Sequence, residues 1–397
     1  MTNVSLASQS YTLVIDTGSS DTWVASTRFR CLSPSTRRRL PQSSCGFGKL
    51  FNISDSPTFE TIPTHDFSVQ YTDGEYLLGE MGTEELEVGG WRTRQTIGVV
   101  ERGWWIGDGL SSGLMGLAYP TLASGVNDLN YTSIAFTLFE DGTVPSIFSL
   151  ALSRPSVDNP VAGGLLAIGG IPDIPLDGDF VSVPIQPIIS DQYAFYSVPV
   201  DGIAVTPPEG WIPPTRRRQR KTRPFHRPLH RQTTNNQTHI FHLTSSRAHQ
   251  NPQADPGSSS EDSGLEMIID SGTTLIYVPW DIAAAIGSFF VPPAIFNETS
   301  NLWIVHCDAA LPDIGVIIGG KLLKIDPRDL IGPGGGTMVT KNHDGVAGGV
   351  TKTQMCVPSI QGRVSGDSVL GDAFLKSVVA VFDVGVNEMR FAQRAPY

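Results

Sequence analysis

Short runs of Val, Ile, Leu, Phe and Thr, each cut off by glycine or proline, recur along this chain from end to end. In "HDFSVQY" at 65–71 the apolar residues Phe67, Val69 and Tyr71 alternate with polar ones, the repeat of a strand with one buried face. "GLLAIGG" at 164–170 and "YAFYSVPVDGIAV" at 193–205 read as further strands. Helical spacing is confined to "YTSIAFTLFEDG" at 131–142, "PWDIAAAIGSFF" at 279–290 and "GDAFLKSV" at 371–378. The pattern therefore predicts a mostly β protein with a few short helices. No uninterrupted apolar run reaches the ~18 residues of a membrane helix, so no membrane span is expected.

The length, 397 residues, exceeds one ordinary core and suits two lobes of roughly 150–200 residues each. A formal net charge of −11 argues against nucleic acid as the main partner and suits work at low pH. One stretch departs from that balance. Residues 212–263 lack apolar periodicity and pass from a basic run, Arg216 to Arg231, into Ser- and Asp-rich sequence. Without an aromatic platform beside the charge, the stretch reads as a disordered surface insertion, or as non-coding sequence wrongly kept in the gene, rather than a nucleic-acid patch or nuclear-localisation signal. "LSPSTRRRLPQSS" at 32–44 looks similar in kind.

The four cysteines, Cys31, Cys45, Cys307 and Cys356, form no CxxC pair and fall two in each half, which suggests one local disulfide per half. Five N-x-S/T triplets begin at Asn3, Asn52, Asn130, Asn236 and Asn297. Together with paired cysteines they lean toward the secretory route. The N-terminal residues, "MTNVSLASQS", have neither a basic nor an apolar leader segment, so no signal peptide is read there. The eight histidines form no ligand-spaced cluster, and neither a metal nor another cofactor is expected.

The chemistry lies in a repeat. "YTLVIDTGSSDTWV" at 11–24 runs an apolar strand into Asp-Thr-Gly-Ser-Ser, and "EMIIDSGTTLIYVP" at 266–279 does the same with Asp-Ser-Gly-Thr-Thr. Each has a later glycine after apolar residues: Asp16 to Gly116 is 116 − 16 = 100, and Asp270 to Gly371 is 371 − 270 = 101. A single Asp-Thr-Gly is more often a side-chain-capped turn. Two copies at one spacing imply a pseudo-two-fold pair whose aspartates meet at the axis. Two carboxyls about 3 Å apart do not both ionise at acidic to neutral pH and so share a proton. The charged one can take a proton from a water, and the protonated one can donate to a scissile carbonyl. Glycine after each pair lets the backbone approach the carboxyl, and Ser19 and Thr273 are placed to hydrogen-bond its outer oxygen.

In these features the sequence resembles the pepsin-like aspartic endopeptidases, over nearly the whole chain outside the two insertions. "DTGSSDTWV" and "DSGTT" resemble the two active-site motifs of that family; "SGLMGLAYP" and "VLGDAFLKSVVAVFDVGVNEMRFA" resemble the segments threading behind them. The split titration of such a pair is a known property of pepsin and is not new to this chain. The resemblance implies two β-barrel-like lobes, 1–178 and 179–397, with a cleft between them and the first lobe's N-terminal strand truncated. That truncation predicts a chain that folds poorly.

It also implies Asp16 and Asp270 as the catalytic pair. "FSVQYTDGEYLLGEM" at 67–81 would be a flap, with Tyr71 partnered by Trp23. Gly18, Thr72, Asp73, Gly272 and Thr274 would touch substrate. The implied disulfides are Cys31–Cys45 and Cys307–Cys356. Thr72, Ser112 and Ser271 stand where the family commonly has glycine, aspartate and threonine. The expected activity is hydrolysis of internal peptide bonds in extended polypeptides at acidic pH, by a secreted or vacuolar monomer that binds no nucleic acid. The alternative is an inactive protein of this fold that binds peptides or acts as an inhibitor.

Overall fold

A computed structural model describes the chain except residues 126–127, 141, 143, 155–162, 188–190, 214–231, 234–237, 244–264, 342–349 and 364. The basic run at 216–231 and the triplet at Asn236 therefore lie outside the described residues. Strands dominate, and the α-helices among the described residues are Ile134–Glu140, Trp280–Gly287 and Asp372–Leu375. Each lies inside a segment predicted to be helical, and each is shorter. The last one stops early because Val378 already begins the strand Val378–Asp383.

Alternation builds the first sheet. Along Gln9–Asp16 the side chains of Tyr11, Leu13 and Ile15 are buried, with the residues between them more exposed. Thr2–Leu6 pairs with that strand and also with Tyr76–Val88. This double pairing closes a six-strand ring through Gly113–Gly116, Thr22–Cys31 and Trp91–Trp104. Glu60–Gln70, which contains the predicted strand 65–71 but for its last residue, Tyr71, extends the ring as a hairpin arm.

The sequence repeat is also a topological one. Gln9–Asp16 runs parallel to Gly113–Gly116, which is antiparallel to Thr22–Cys31. Leu265–Ile269 runs parallel to Ser368–Leu370, which is antiparallel to Ile276–Pro279. A separate five-stranded sheet, in the order Val181–Pro184, Glu388–Gln393, Val378–Asp383, Ile147–Leu152 and Gly164–Ile168, takes strands from both halves. Beneath it Phe148 stacks on Phe382 at 4.4 Å between centroids, and Tyr196 meets Phe382 edge-on at 4.7 Å. No residue ahead of Asp16 enters this sheet.

Three sequence expectations are corrected. The run 193–205 is not one strand: Ser197–Val200 pairs with Leu265–Ile269, while Gly202–Thr206 joins Asp313–Ile318, and Asp201 turns the chain between sheets. Residues 212–263 are not wholly extraneous. His239–His242 pairs with Gly202–Thr206, and Leu243 is buried. His239 packs against Trp211 and Phe289, so this strand belongs to the core. The loop 32–44 is fixed rather than loose: Leu32 bridges to Arg39, Gln42–Ser44 forms a 3₁₀ turn, and the Cys31–Cys45 disulfide closes it. The second disulfide is Cys307–Cys356.

Candidate active site

The first strand ends on Asp16 and the second stops at Ile269, just before Asp270, and the chain turns at once after each aspartate. Asp16 Oδ1 accepts the Gly18 N–H at 2.7 Å, and Asp16 Oδ2 accepts the Ser19 hydroxyl at 2.5 Å. Asp270 repeats the pattern: Oδ1 accepts Gly272 N–H at 2.8 Å and Oδ2 accepts the Thr273 hydroxyl at 2.6 Å. Behind them, the Leu117 N–H donates to the Asp16 carbonyl at 2.8 Å, and the Asp270 N–H donates to the Leu370 carbonyl at 3.1 Å. The segments ending on the two spaced glycines are thus the floor under the two aspartates.

The turns face one another closely. A Cβ on Gly18 would lie 2.6 Å from Asp270 Oδ1, and one on Gly272 would strike Asp16 Oδ1. Glycine is needed here because each backbone occupies the space beside the opposite carboxyl. Gly272→Ala is expected to abolish measurable peptide hydrolysis while the chain still folds, checked by turnover against thermal melting of the same preparation.

Sequence reading missed what ties the turns together. The Thr17 hydroxyl donates to the Ile269 carbonyl at 2.9 Å and accepts the Ser271 N–H at 3.0 Å. The Ser271 hydroxyl donates to the Ile15 carbonyl at 2.9 Å and accepts the Thr17 N–H at 3.2 Å. Four reciprocal bonds across some 250 residues of sequence hold the carboxyls in register. Serine at 271 keeps the hydroxyl that this lock requires. The available signal was the hydroxyl residue directly after each aspartate.

The predicted flap is a hairpin. Tyr71 N–H donates to the Glu75 carbonyl at 2.8 Å, and Gly74 takes φ +96° in the turn. The Trp23 indole N–H donates to the Tyr71 hydroxyl at 2.8 Å, so Trp23 sits in the core and holds the tyrosine from behind. A cleft of about 590 Å³ runs beneath the flap. Asp16, Gly18, Ser19, Tyr71, Thr72, Asp73, Asp270, Gly272, Thr273 and Thr274 all line it, with Val14, Val69, Leu114, Leu122, Phe195 and Ile268 as apolar wall. The predicted site residues are thereby brought together. Ser112 lies in the core, its hydroxyl without a partner among the described residues.

Several acids there are buried, and burial penalises the charged form. Burial first, and then the adjacent Asp270 carboxyl, hold Asp16 far above the usual carboxylate range. Burial pushes Asp372, directly after the Gly371 turn, up to about 7. Its Oδ1 has no hydrogen-bond partner among the described residues. Burial also raises Glu75 to about 7, although its carboxyl accepts the Ile106 N–H at 2.5 Å. Asp21, in the first motif, is buried and raised likewise. It accepts the N–H and hydroxyl of Ser124, both at 3.1 Å, and the Tyr131 hydroxyl, anchoring the loop that carries Leu122 to the cleft wall. Asp21, Glu75 and Asp372 were not singled out from sequence. Among the described residues no group of three or more His, Cys, Asp or Glu side chains is placed to hold a metal.

Comparison with known proteins agrees with this geometry. The sequence pattern of the eukaryotic aspartyl proteases matches residues 2–211 and 233–394, so only 212–232 falls between the matched parts. A protein of Aspergillus fumigatus named as a probable aspartic-type endopeptidase is 35% identical, over 99% of this chain and 78% of its own length. An aspartic protease of Phaffia rhodozyma is 25% identical over 98% of this chain and 75% of its own. Pepsin A of Rhinolophus ferrumequinum is 25% identical over 97% and 78%. With its mostly β, two-lobed pepsin-like architecture, the chain belongs to the eukaryotic aspartyl protease family and is a peptide hydrolase.

Proposed function

We propose that the protein is an endopeptidase working at acidic pH, with Asp16 and Asp270 as its catalytic pair. The observation that carries this reading is the reciprocal seating of the two carboxyls, each braced by a backbone N–H and a hydroxyl and each facing the other lobe's glycine. The pair shares one proton, since burial and mutual repulsion oppose a double charge. A water bound between the carboxyls loses a proton to the ionised one while its oxygen forms a bond to the scissile carbonyl carbon. The shared proton passes to the carbonyl oxygen, giving a neutral tetrahedral diol. Collapse breaks the C–N bond as the protonated carboxyl gives its proton to the leaving nitrogen and a diol hydroxyl gives one to the ionised carboxyl, so the pair ends singly protonated.

The lobes are taken as 1–178 and 179–397. Gly18, Thr72, Asp73, Gly272 and Thr274 flank an extended polypeptide, Tyr71 and Trp23 hold the flap over it, and the apolar wall favours apolar side chains beside the scissile bond. The protein acts as a secreted or vacuolar monomer, and its acidic balance gives nucleic acid no part in that activity. No helix among the described residues is long and apolar enough to cross a membrane.

The test is a pH profile of cleavage of an internally quenched peptide, with and without a transition-state-analogue inhibitor of aspartic proteases. A bell-shaped profile with an acidic maximum, abolished by the inhibitor, is expected. The acid limb falls as the pair gains a second proton, and the other limb falls as the shared proton leaves. Tight inhibitor binding with no turnover at any acidic pH would instead make the protein a peptide-binding module.

A further inference from the structure

The arginine triplet of the disulfide loop takes no part in the chemistry above, yet it is built into the fold next to the flap. The strand Thr22–Cys31 points Phe29 and Cys31 inward and exposes Arg28 and Arg30. Arg30 and Arg102 are register partners on adjacent parallel strands. Like charges placed side by side are unfavourable unless something neutralises them. Arg28 has its own acids, Glu80 and Glu101, each at 3.2 Å. Among the described residues, Arg30, Arg38, Arg39 and Arg102 have no carboxylate within salt-bridge distance.

The loop presents its arginines rigidly. Arg37 adopts φ +57°, a left-handed conformation that a residue with a Cβ rarely enters. That turn sets its guanidinium 3.4 Å above the Tyr76 ring. Ser33 N–H donates to the Arg38 carbonyl at 2.8 Å, Leu32 bridges Arg39, and Leu32 N–H donates to the Gly103 carbonyl at 2.8 Å beside Arg102. The loop is thereby sewn to the same two strands that carry Arg30 and Arg102. The face also runs into the cleft. Tyr76 follows Glu75, a cleft residue, and Trp105 and Ile106, also in the cleft wall, come three and four residues after Arg102.

We propose that Arg30, Arg37, Arg38, Arg39 and Arg102 dock an acidic stretch of the polypeptide substrate outside the cleft. This inference rests on the endopeptidase reading. The molecule as a whole carries −11 and repels an acidic chain, so a local cationic face adjoining the flap decides where such a chain is held. Every cation on it is arginine, whose planar fork matches a carboxylate better than an ammonium does. Because the face is pre-ordered, little conformational freedom is lost when it binds. Its continuity with the cleft favours a substrate segment over an unrelated anionic polymer.

The test compares one core peptide extended at either end, through a flexible spacer, by a short run of Asp or of Asn. At about pH 5.5 the Asp tail is ionised, its ordinary value being about 3.9. The full chain is expected to cleave one Asp-tailed series about five- to ten-fold more efficiently than its Asn counterpart, through KM. The advantage disappears at about 0.5 M salt and in Arg38→Gln/Arg39→Gln. Arg30→Gln/Arg102→Gln repeats the loss from the strand side, should the loop variant be destabilised.

The untailed peptide is cut equally by all three proteins, which keeps this result separate from the endopeptidase reading itself. Equal rates for Asp and Asn tails at both ends would overturn the proposal, as would an advantage that survives in both variants. Retention of the unaltered chain alone on an anionic polysaccharide, without any tail preference, would overturn it in favour of a polysaccharide surface.

Discussion

Asp16→Asn is expected to lower kcat by on the order of 10⁴-fold or more on a peptide cut at an internal bond, and Asp270→Asn by a similar factor. The amide is nearly the same size and keeps an oxygen for the Gly18 N–H, whose bond to Asp16 Oδ1 measures 2.7 Å. It can neither accept nor share a proton, so both halves of the acid–base exchange fail together. For that reason the double variant should lose no more than either single one. KM should change little, because the cleft wall is untouched. Burial already opposes the charge on Asp16, so the asparagine variant should melt no lower than the parent at neutral pH. Single-turnover rates with melting curves on the same samples check this. If Asp16→Asn turned over at more than about a hundredth of the parental rate, the carboxyl pair would not be the catalytic group.

Asp372→Asn is expected to remove part of the stability loss that the parent shows between acid and neutral pH. Burial raises Asp372 from 3.8 to about 7. Folding therefore favours its protonated form. The stability it permits is complete below about pH 3.8 and is lost progressively as pH rises toward 7, because the unfolded chain ionises freely there. At 1.36 kcal/mol per unit, the loss is on the order of 4 kcal/mol. Glu75, raised from 4.5 to about 7, acts in the same direction, as do Asp16 and Asp21. These four acids favour the fold in acid and weaken it near neutrality, against the opposite effect of the lowered Asp326 and Asp108. The variant should melt within a degree or two of the parent at about pH 3.5, yet roughly 5 °C or more above it at about pH 7. A difference that did not change with pH would show that Asp372 does not titrate across this interval.

The candidate site was legible in sequence wherever its logic is local. An apolar strand entering Asp-Thr-Gly or Asp-Ser-Gly prescribes a turn that bends onto its own carboxyl, and residues 16–19 and 270–273 build it. The near-equal intervals to Gly116 and Gly371 foretold two similar modules, and the parallel pairings beneath each aspartate are those modules. Alternation at 67–71 with Thr-Asp-Gly after it is enough to specify a hairpin, because strand period and turn chemistry are nearest-neighbour properties.

What the sequence concealed depends on residues far apart in the chain. The bond between Thr17 and Ser271 spans 254 positions, and neither residue differs locally from an ordinary turn hydroxyl. The raised acids at 21, 75 and 372 are ordinary carboxyls until the fold closes around them, so no composition or period marks them. His239–His242 lay hidden in a polar stretch because its partners, Gly202–Thr206 and Phe289, are supplied by other segments. The arginines of 37–39 read as a loose basic run until the Leu32 bridge, the disulfide and Tyr76 fixed them beside Arg30 and Arg102. The sequence by itself therefore determined the two turns, their carboxyls and the strands that lead into them, since these follow from neighbours along the chain. Only the tertiary structure decided which carboxyls are buried, what locks the two halves in register and where the positive charge is gathered, since burial and proximity are properties of the packed chain alone.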